Sequence, residues 1–173
     1  MKKIILTTLA VLGFTFANAQ EQIAKGKWLI EANTGFGSLG NGSTSFGLWS
    51  EDGNTAWNIG AEGGYFVMDK LAVKAGLGYG DNGGDFANTI FSYKVGAKYY
   101  LLNKFPLEVS YTGASIKDAD ENPSYVGFQG GYAWFVGKNI SVEPGIRYNV
   151  TLNDDYGSGK DVFQFNIGFA LHF

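Results

Sequence analysis

Few side chains in this sequence can make or break bonds. Its 173 residues include no cysteine and a single histidine, His172. That removes thiolate metal sites, cysteine nucleophiles, disulfide frameworks and lipid attachment at a lipobox. It also leaves no Ser, His and Asp set for nucleophilic catalysis. Gly35-Phe36-Gly37-Ser38-Leu39-Gly40 has G-x-G-x-x-G spacing. That cradle serves a dinucleotide only when a helix N-terminus follows, and a Gly/Ser/Thr-rich stretch follows here. Asp118-Ala119-Asp120-Glu121-Asn122 opens like a calcium loop, but Pro123 stands where Gly is needed and Gln129 where a bidentate Glu belongs. No cofactor, no metal and no enzymatic activity are expected.

A different constellation is more informative. Lys27, Glu31, Glu62, Lys74, Lys94, Lys98, Glu108, Glu143 and Arg147 all fall in the same phase of alternating segments, five positive and four negative. Enclosed together, they could pair into a near-neutral network, and an unpaired buried charge costs several kcal/mol. A second group is acidic and lies between segments. Glu51, Asp52, Asp81, Asp85, Asp118, Asp120, Glu121, Asp154, Asp155 and Asp161 stand against only Lys117 and Lys160. Solvated loops explain this most simply. A functional version would bridge anionic lipid through divalent cations or attract a cationic partner.

The elements that must position these groups are strands. Period-2 alternation recurs over residues 27–36, 57–67, 71–79, 91–101, 107–114, 126–136, 140–150 and 163–173, and no sustained 3.6-residue period appears. Tight connections near Lys70, Lys104 and Lys138 alternate with long polar ones at 37–55, 80–89, 117–124 and 151–160. Such a meander closes into an up-and-down barrel. One face of every segment is apolar and free of charge. The other holds the nine charges beside Gly35, Gly60, Gly64, Gly76, Gly78, Gly96, Gly127, Gly131, Gly145 and Gly168.

That sorting decides the orientation. An eight-stranded lumen is only just wide enough for side chains to fill, so inward glycine leaves room for long charged chains. On a water-exposed face the same glycines would weaken strands for no packing gain. Ten residues at ~3.3 Å each, tilted ~45°, span roughly 23 Å, close to the ~25 Å apolar band of a membrane barrel. Trp28, Tyr65, Tyr99, Tyr132 and Trp134 fall near the tight turns, and Trp57, Tyr79, Tyr111 and Tyr148 towards the long loops, as headgroup-level girdles would. The expected fold is all-β: an eight-stranded antiparallel up-and-down transmembrane barrel. A soluble lipocalin-like carrier is the inside-out alternative.

The first residues read as an address. Lys2 and Lys3 precede an apolar run too short to span a membrane, and Ala17-Asn18-Ala19 fits a signal-peptidase site. A signal peptide over 1–19 and a barrel domain over 20–173 are therefore expected. Formal charge is −3, which makes nucleic acid an unsuitable partner.

With a signal peptide, eight alternating segments and a closing run Phe163-Gln164-Phe165-Asn166-Ile167-Gly168-Phe169-Ala170-Leu171-His172-Phe173, the chain resembles the OmpX/OmpA-type outer membrane β-barrel family. The resemblance implies a location in the outer membrane among its lipid and lipopolysaccharide. It also implies that Phe173 is the terminal aromatic read by the barrel assembly machinery. Lipid A acylases and deacylases share the strand count but use a His near the lipid-facing rim, whereas His172 is inward-phased near a tight turn. OmpA proper adds a soluble cell-wall domain, which is not expected here. The expected role is structural or surface-interacting in a monomer, with an unidentified extracellular loop partner and a lumen plugged by paired charges. A narrow pore for ions or small solutes is the alternative.

Overall fold

The computed structural model describes residues 21–36, 46–51, 54–81, 83, 89–155 and 159–173. The expected signal peptide, Gly37 to Gly40 of the glycine motif, and Asp52 and Asp85 lie outside these residues. The strands are β1 (Trp28–Phe36), β2 (Gly47–Glu51), β3 (Asn54–Met68), β4 (Leu71–Asp81), β5 (Thr89–Leu101), β6 (Phe105–Ile116), β7 (Ser124–Gly131), β8 (Trp134–Phe135), β9 (Ile140–Thr151) and β10 (Val162–His172). Every strand pairing is antiparallel, and β1 closes the sheet by pairing β10 on one side and β3 on the other. Ile30 thus sits between Leu171 and Gly63. The result is an eight-stranded barrel in which β7 and β8 share one stave and β2 extends the sheet beside β3.

Two features depart from the alternation pattern. The connection 37–55, expected as a polar loop, contains β2, which pairs with Asn54 to Asn58 and carries the β3 hairpin beyond the end of β1. Its alternation is too short to stand out from a Gly/Ser/Thr-rich background. The segment 126–136, expected as one strand, is interrupted at Tyr132 and Ala133. Pro144 explains the gap. The Tyr132 N–H donates to the Pro144 carbonyl at 3.0 Å, but proline has no N–H to return the bond.

The faces divide as the glycine argument requires. In β4, Ala72, Lys74, Gly76, Gly78 and Gly80 are buried while Val73, Ala75, Leu77 and Tyr79 are exposed. Outside, Ile59, Leu77 and Phe165 are each at least 60% exposed, so the barrel wall presents a continuous apolar surface. Aromatic pairs stand at both ends of it. Trp28 and Tyr65 lie 5.0 Å apart and Phe105 and Tyr132 5.7 Å apart at the tight-turn end, and Trp57 and Tyr79 6.1 Å apart towards the loops.

Among the described residues, apolar clusters inside the barrel lie at its two ends. At the tight-turn end Leu29, Phe66, Ala72, Tyr100, Ala133, Phe135 and Ala170 cluster around Ile23. Ile23 belongs to a segment preceding β1 that folds across this mouth. The Lys70 N–H donates to the Ile23 carbonyl at 2.7 Å, the Gly26 N–H to that of Phe66 at 2.9 Å, and the Lys25 N–H to Asp69 Oδ1 at 2.8 Å. Across the mouth, Gln22 Nε2 donates to the carbonyls of Gly137 (2.9 Å) and Lys138. At the loop end Ile90, Ala114 and Ile116 form a smaller cluster.

Candidate functional site

Register places the charges. Glu62 on β3 and Lys94 on β5 both lie opposite Gly76 of the intervening β4. With no side chain between them they meet at 2.8 Å. Lys74 in turn stands between Gly64 and Gly96. Its Nζ reaches Glu31 Oε2 at 2.8 Å, Glu62 Oε2 at 2.7 Å and Glu108 Oε2 at 2.7 Å. Glu31 and Glu62 are direct cross-strand neighbours, an arrangement that repels unless a cation intervenes, and Lys74 is that cation. The Glu31, Glu62 and Glu108 oxygens lie within 4.8 Å of one another, a spacing that suits a metal ion, and the ammonium of Lys74 contacts all three.

The network continues in both directions. Lys94 also reaches Glu108 at 2.6 Å. Lys98 bridges Glu31 at 2.7 Å and Glu143 at 2.5 Å, and Arg147 Nη1 reaches Glu108 at 3.2 Å. Glu31, Glu62, Glu108 and Glu143 thus balance Lys74, Lys94, Lys98 and Arg147, all of them buried. Polar side chains take up the remaining valences. Asn33 donates to Glu31 Oε1 (3.0 Å), Tyr100 and Ser141 to Glu143 Oε1 (2.9 and 2.7 Å). Arg147 donates to Asn149, Ser110 and Thr112 at 2.7, 2.8 and 3.3 Å. Gly127 leaves room for this: a Cβ there would overlap the Arg147 guanidinium in its present position. The arrangement is a set of mutually neutralised ions, each carboxylate held by at least one cation.

Lys27 does not join. It is half-buried at the tight-turn mouth and makes no ion pair among the described residues, so the balance inside is four against four rather than five against four. The reason is positional, since Lys27 precedes β1 and lies outside the apolar cluster around Ile23. His172, inward as its phase requires, stands below the network. Its Nε2 is 3.0 Å from Ser141 Oγ, and its ring packs 5.4 Å from that of Phe135 and 6.3 Å from that of Phe66. The neutral partners Asn33, Tyr100, Ser141 and Asn149 share the inward phase of the charges, the one signal in the sequence that marks them.

The acidic residues of the loops are spread out. Asp118, Asp120, Glu121, Asp154 and Asp155 are exposed or nearly so, and among the described residues none belongs to a metal-sized cluster. Glu121 Oε2 accepts from Asn153 Nδ2 at 3.0 Å, tying two loops together, and the Asp155 N–H donates to Asn153 Oδ1 at 3.1 Å within its own loop. Asp161 accepts from the Tyr148 hydroxyl (2.6 Å) and the Thr151 N–H (3.0 Å), and these bonds hold its carboxyl below the usual range. Phe173 exchanges both backbone hydrogen bonds with Trp28, each 3.0 Å, and leaves its ring half exposed.

No family model matches the sequence, and no curated protein matches it. Solved structures do. The N-terminal β-barrel domain of Pseudomonas aeruginosa OprF superposes with a TM-score of 0.52 at 16% identity, over 86% of this chain and 98% of that one. The Yersinia pestis outer membrane protein Ail, determined in a phospholipid bilayer nanodisc, gives 0.52 at 11% identity, over 86% and 100%. At these identities the likeness is one of fold: the chain has the eight-stranded barrel fold of outer membrane proteins.

Proposed function

We propose that this protein is an integral outer membrane barrel with a structural and surface-interacting role, its lumen plugged rather than conducting. The observation that carries this is the interior itself. Four carboxylates and four cations bridge the barrel at 2.5–3.2 Å, and the segment around Ile23 lies across the tight-turn mouth. Opening a water path would mean separating buried ion pairs, at about 3–5 kcal/mol for each partner left unpaired. The exposed apolar wall supports a hydrocarbon surround and argues against a soluble carrier, whose apolar surface would be inside. Under this reading the chain is exported by a cleaved signal peptide. Phe173 serves the assembly machinery, and the acidic loops meet lipopolysaccharide or an external partner. The pairing of the buried charges with one another supports a non-enzymatic role.

The test is planar-bilayer recording on purified protein, paired with fractionation in the presence and absence of detergent. The expected result is extraction only by detergent and no discrete conductance. Steady unitary currents would replace the plug with a narrow pore; a compact species in plain buffer would overturn the membrane reading altogether.

A further inference from the structure

The two ends of the barrel carry opposite charge. The loop connections hold ten acidic residues against two lysines, whereas the tight-turn end has Lys25, Lys27, Lys70, Lys104 and Lys138 against Glu21 and Asp69. The fold gathers three of these lysines around one segment. The Lys25 N–H donates to Asp69 Oδ1 at 2.8 Å and the Lys70 N–H to the Ile23 carbonyl at 2.7 Å, which seats the segment before β1 beside the β3–β4 turn. Gln22 Nε2 donates to the Gly137 and Lys138 carbonyls, which draws the β8–β9 turn to the same segment. All these bonds engage the lysines through their backbone. The ammonium groups of Lys25, Lys70 and Lys138 enter no ion pair among the described residues. Lys104 differs, being only 7% exposed.

The three lysines stand among exposed apolar side chains. Met68 is 61% exposed two residues before Lys70, Val136 and Ile140 are exposed on either side of Lys138, and the Trp28–Tyr65 ring pair begins three residues after Lys25. Cations flanked by apolar groups at the level of paired aromatic rings match a membrane interface, where rings sit at headgroup depth and lysine stems lie along the apolar wall. We propose that this sector of the rim binds the headgroups of anionic phospholipids, of the phosphatidylglycerol class, in preference to zwitterionic ones. This rests on the membrane reading proposed above and adds to it a lipid class and a leaflet. An ammonium is a compact charge suited to a phosphodiester. A zwitterionic headgroup brings a cation of its own, which the lysines repel, so only a headgroup of net negative charge is attracted as a whole. The acidic loops repel the same lipid at the opposite end, which confines the preference to the tight-turn leaflet. A lysine close to an anionic surface strengthens such an attraction about fivefold.

The experiment is tryptophan quenching by brominated lipids in vesicles. The four tryptophans are Trp28 and Trp134 at the tight-turn end, and Trp49 on β2 and Trp57 on β3 towards the loops. A variant keeping only Trp28, the others changed to phenylalanine, reports on the basic sector, and one keeping only Trp57 reports on the opposite leaflet. Dibrominated phosphatidylglycerol diluted in phosphatidylcholine should quench Trp28 as though enriched about fivefold or more, with no enrichment at Trp57. Lys25→Ala, Lys70→Ala and Lys138→Ala together should abolish the enrichment, arginine at the same positions should keep it, and Lys160→Ala should leave it unchanged. Half-molar salt should weaken it, because exposed charges are screened. Heat-modified migration shows that each variant is folded. Native mass spectrometry of lipids retained by the wild type and by the triple lysine variant makes the same comparison without tryptophan substitutions. Quenching of Trp28 that follows the mole fraction of lipid overturns the proposal, as does a preference that survives the triple substitution or is equal at Trp57. Lysine-dependent retention of peptidoglycan without lipid enrichment would give the surface to the cell wall instead and overturn the lipid assignment. If brominated phosphatidylcholine quenches normally, the failure is of this inference alone; if no brominated lipid quenches Trp28, the membrane reading falls with it.

Discussion

Replacing Lys74 with methionine keeps the length and most of the volume of the side chain and removes its charge. The ammonium contacts three carboxylates at 2.7–2.8 Å whose oxygens lie within 4.8 Å of one another. At that separation and an effective dielectric constant of ~20, each carboxylate pair repels by roughly 3.5 kcal/mol. Lys94 still touches Glu62 and Glu108, Arg147 still touches Glu108, and Lys98 still touches Glu31, so each carboxylate keeps at least one cation. The net loss should therefore fall near the ~3–5 kcal/mol typical of removing one partner from a buried pair. The assay is urea unfolding in detergent micelles, followed by tryptophan fluorescence and by heat-modified migration on gels. K74M should unfold at a markedly lower urea concentration than the wild type. Adding Glu62→Gln, which restores the balance of charge, should recover half the loss or more. A K74M midpoint equal to wild type would refute the network's energetic role, and a double variant no better than the single would show that the loss came from packing rather than charge.

Gly127→Ala should displace the Arg147 guanidinium and cost ~1–3 kcal/mol, the usual price of overpacking, in the same unfolding assay. Ile23→Ala, which empties the apolar cluster at the tight-turn mouth, should cost ~2–5 kcal/mol and speed hydrogen exchange at the Lys70 amide. Asp161 tests pH dependence. Its carboxylate is held below the ordinary range, so the Tyr148 and Thr151 bonds are fully present at neutral pH and fail as pH falls through the depressed value. Amide exchange at Thr151 should stay slow until the solution is more acidic than an ordinary aspartate's pKa of ~3.9, and Asp161→Asn should remove that dependence.

Apart from β2 and the break between β7 and β8, the sequence by itself determined the strands, their alternation and the side of the wall on which their residues lie. These follow from a two-residue period, which is a property of the local backbone and survives without knowledge of any neighbour. Glu62, Lys74, Lys94, Lys98, Glu108, Glu143 and Arg147 are inward for that reason, and so is His172. Tertiary structure alone decided who meets whom. Lys98 stands directly opposite Glu108 on the adjacent strand, yet its ammonium pairs with Glu31 and Glu143. Glu62 and Lys94 meet over Gly76 because two separate registers place both beside it. Register between strands and the stagger on closure are set by contacts far apart in the chain, which no local pattern encodes. The same holds for Lys27, whose phase matches the network but whose place before β1 leaves it at the mouth. It holds for Ile23 and Gln22 as well, whose seat across that mouth exists only once the barrel has closed.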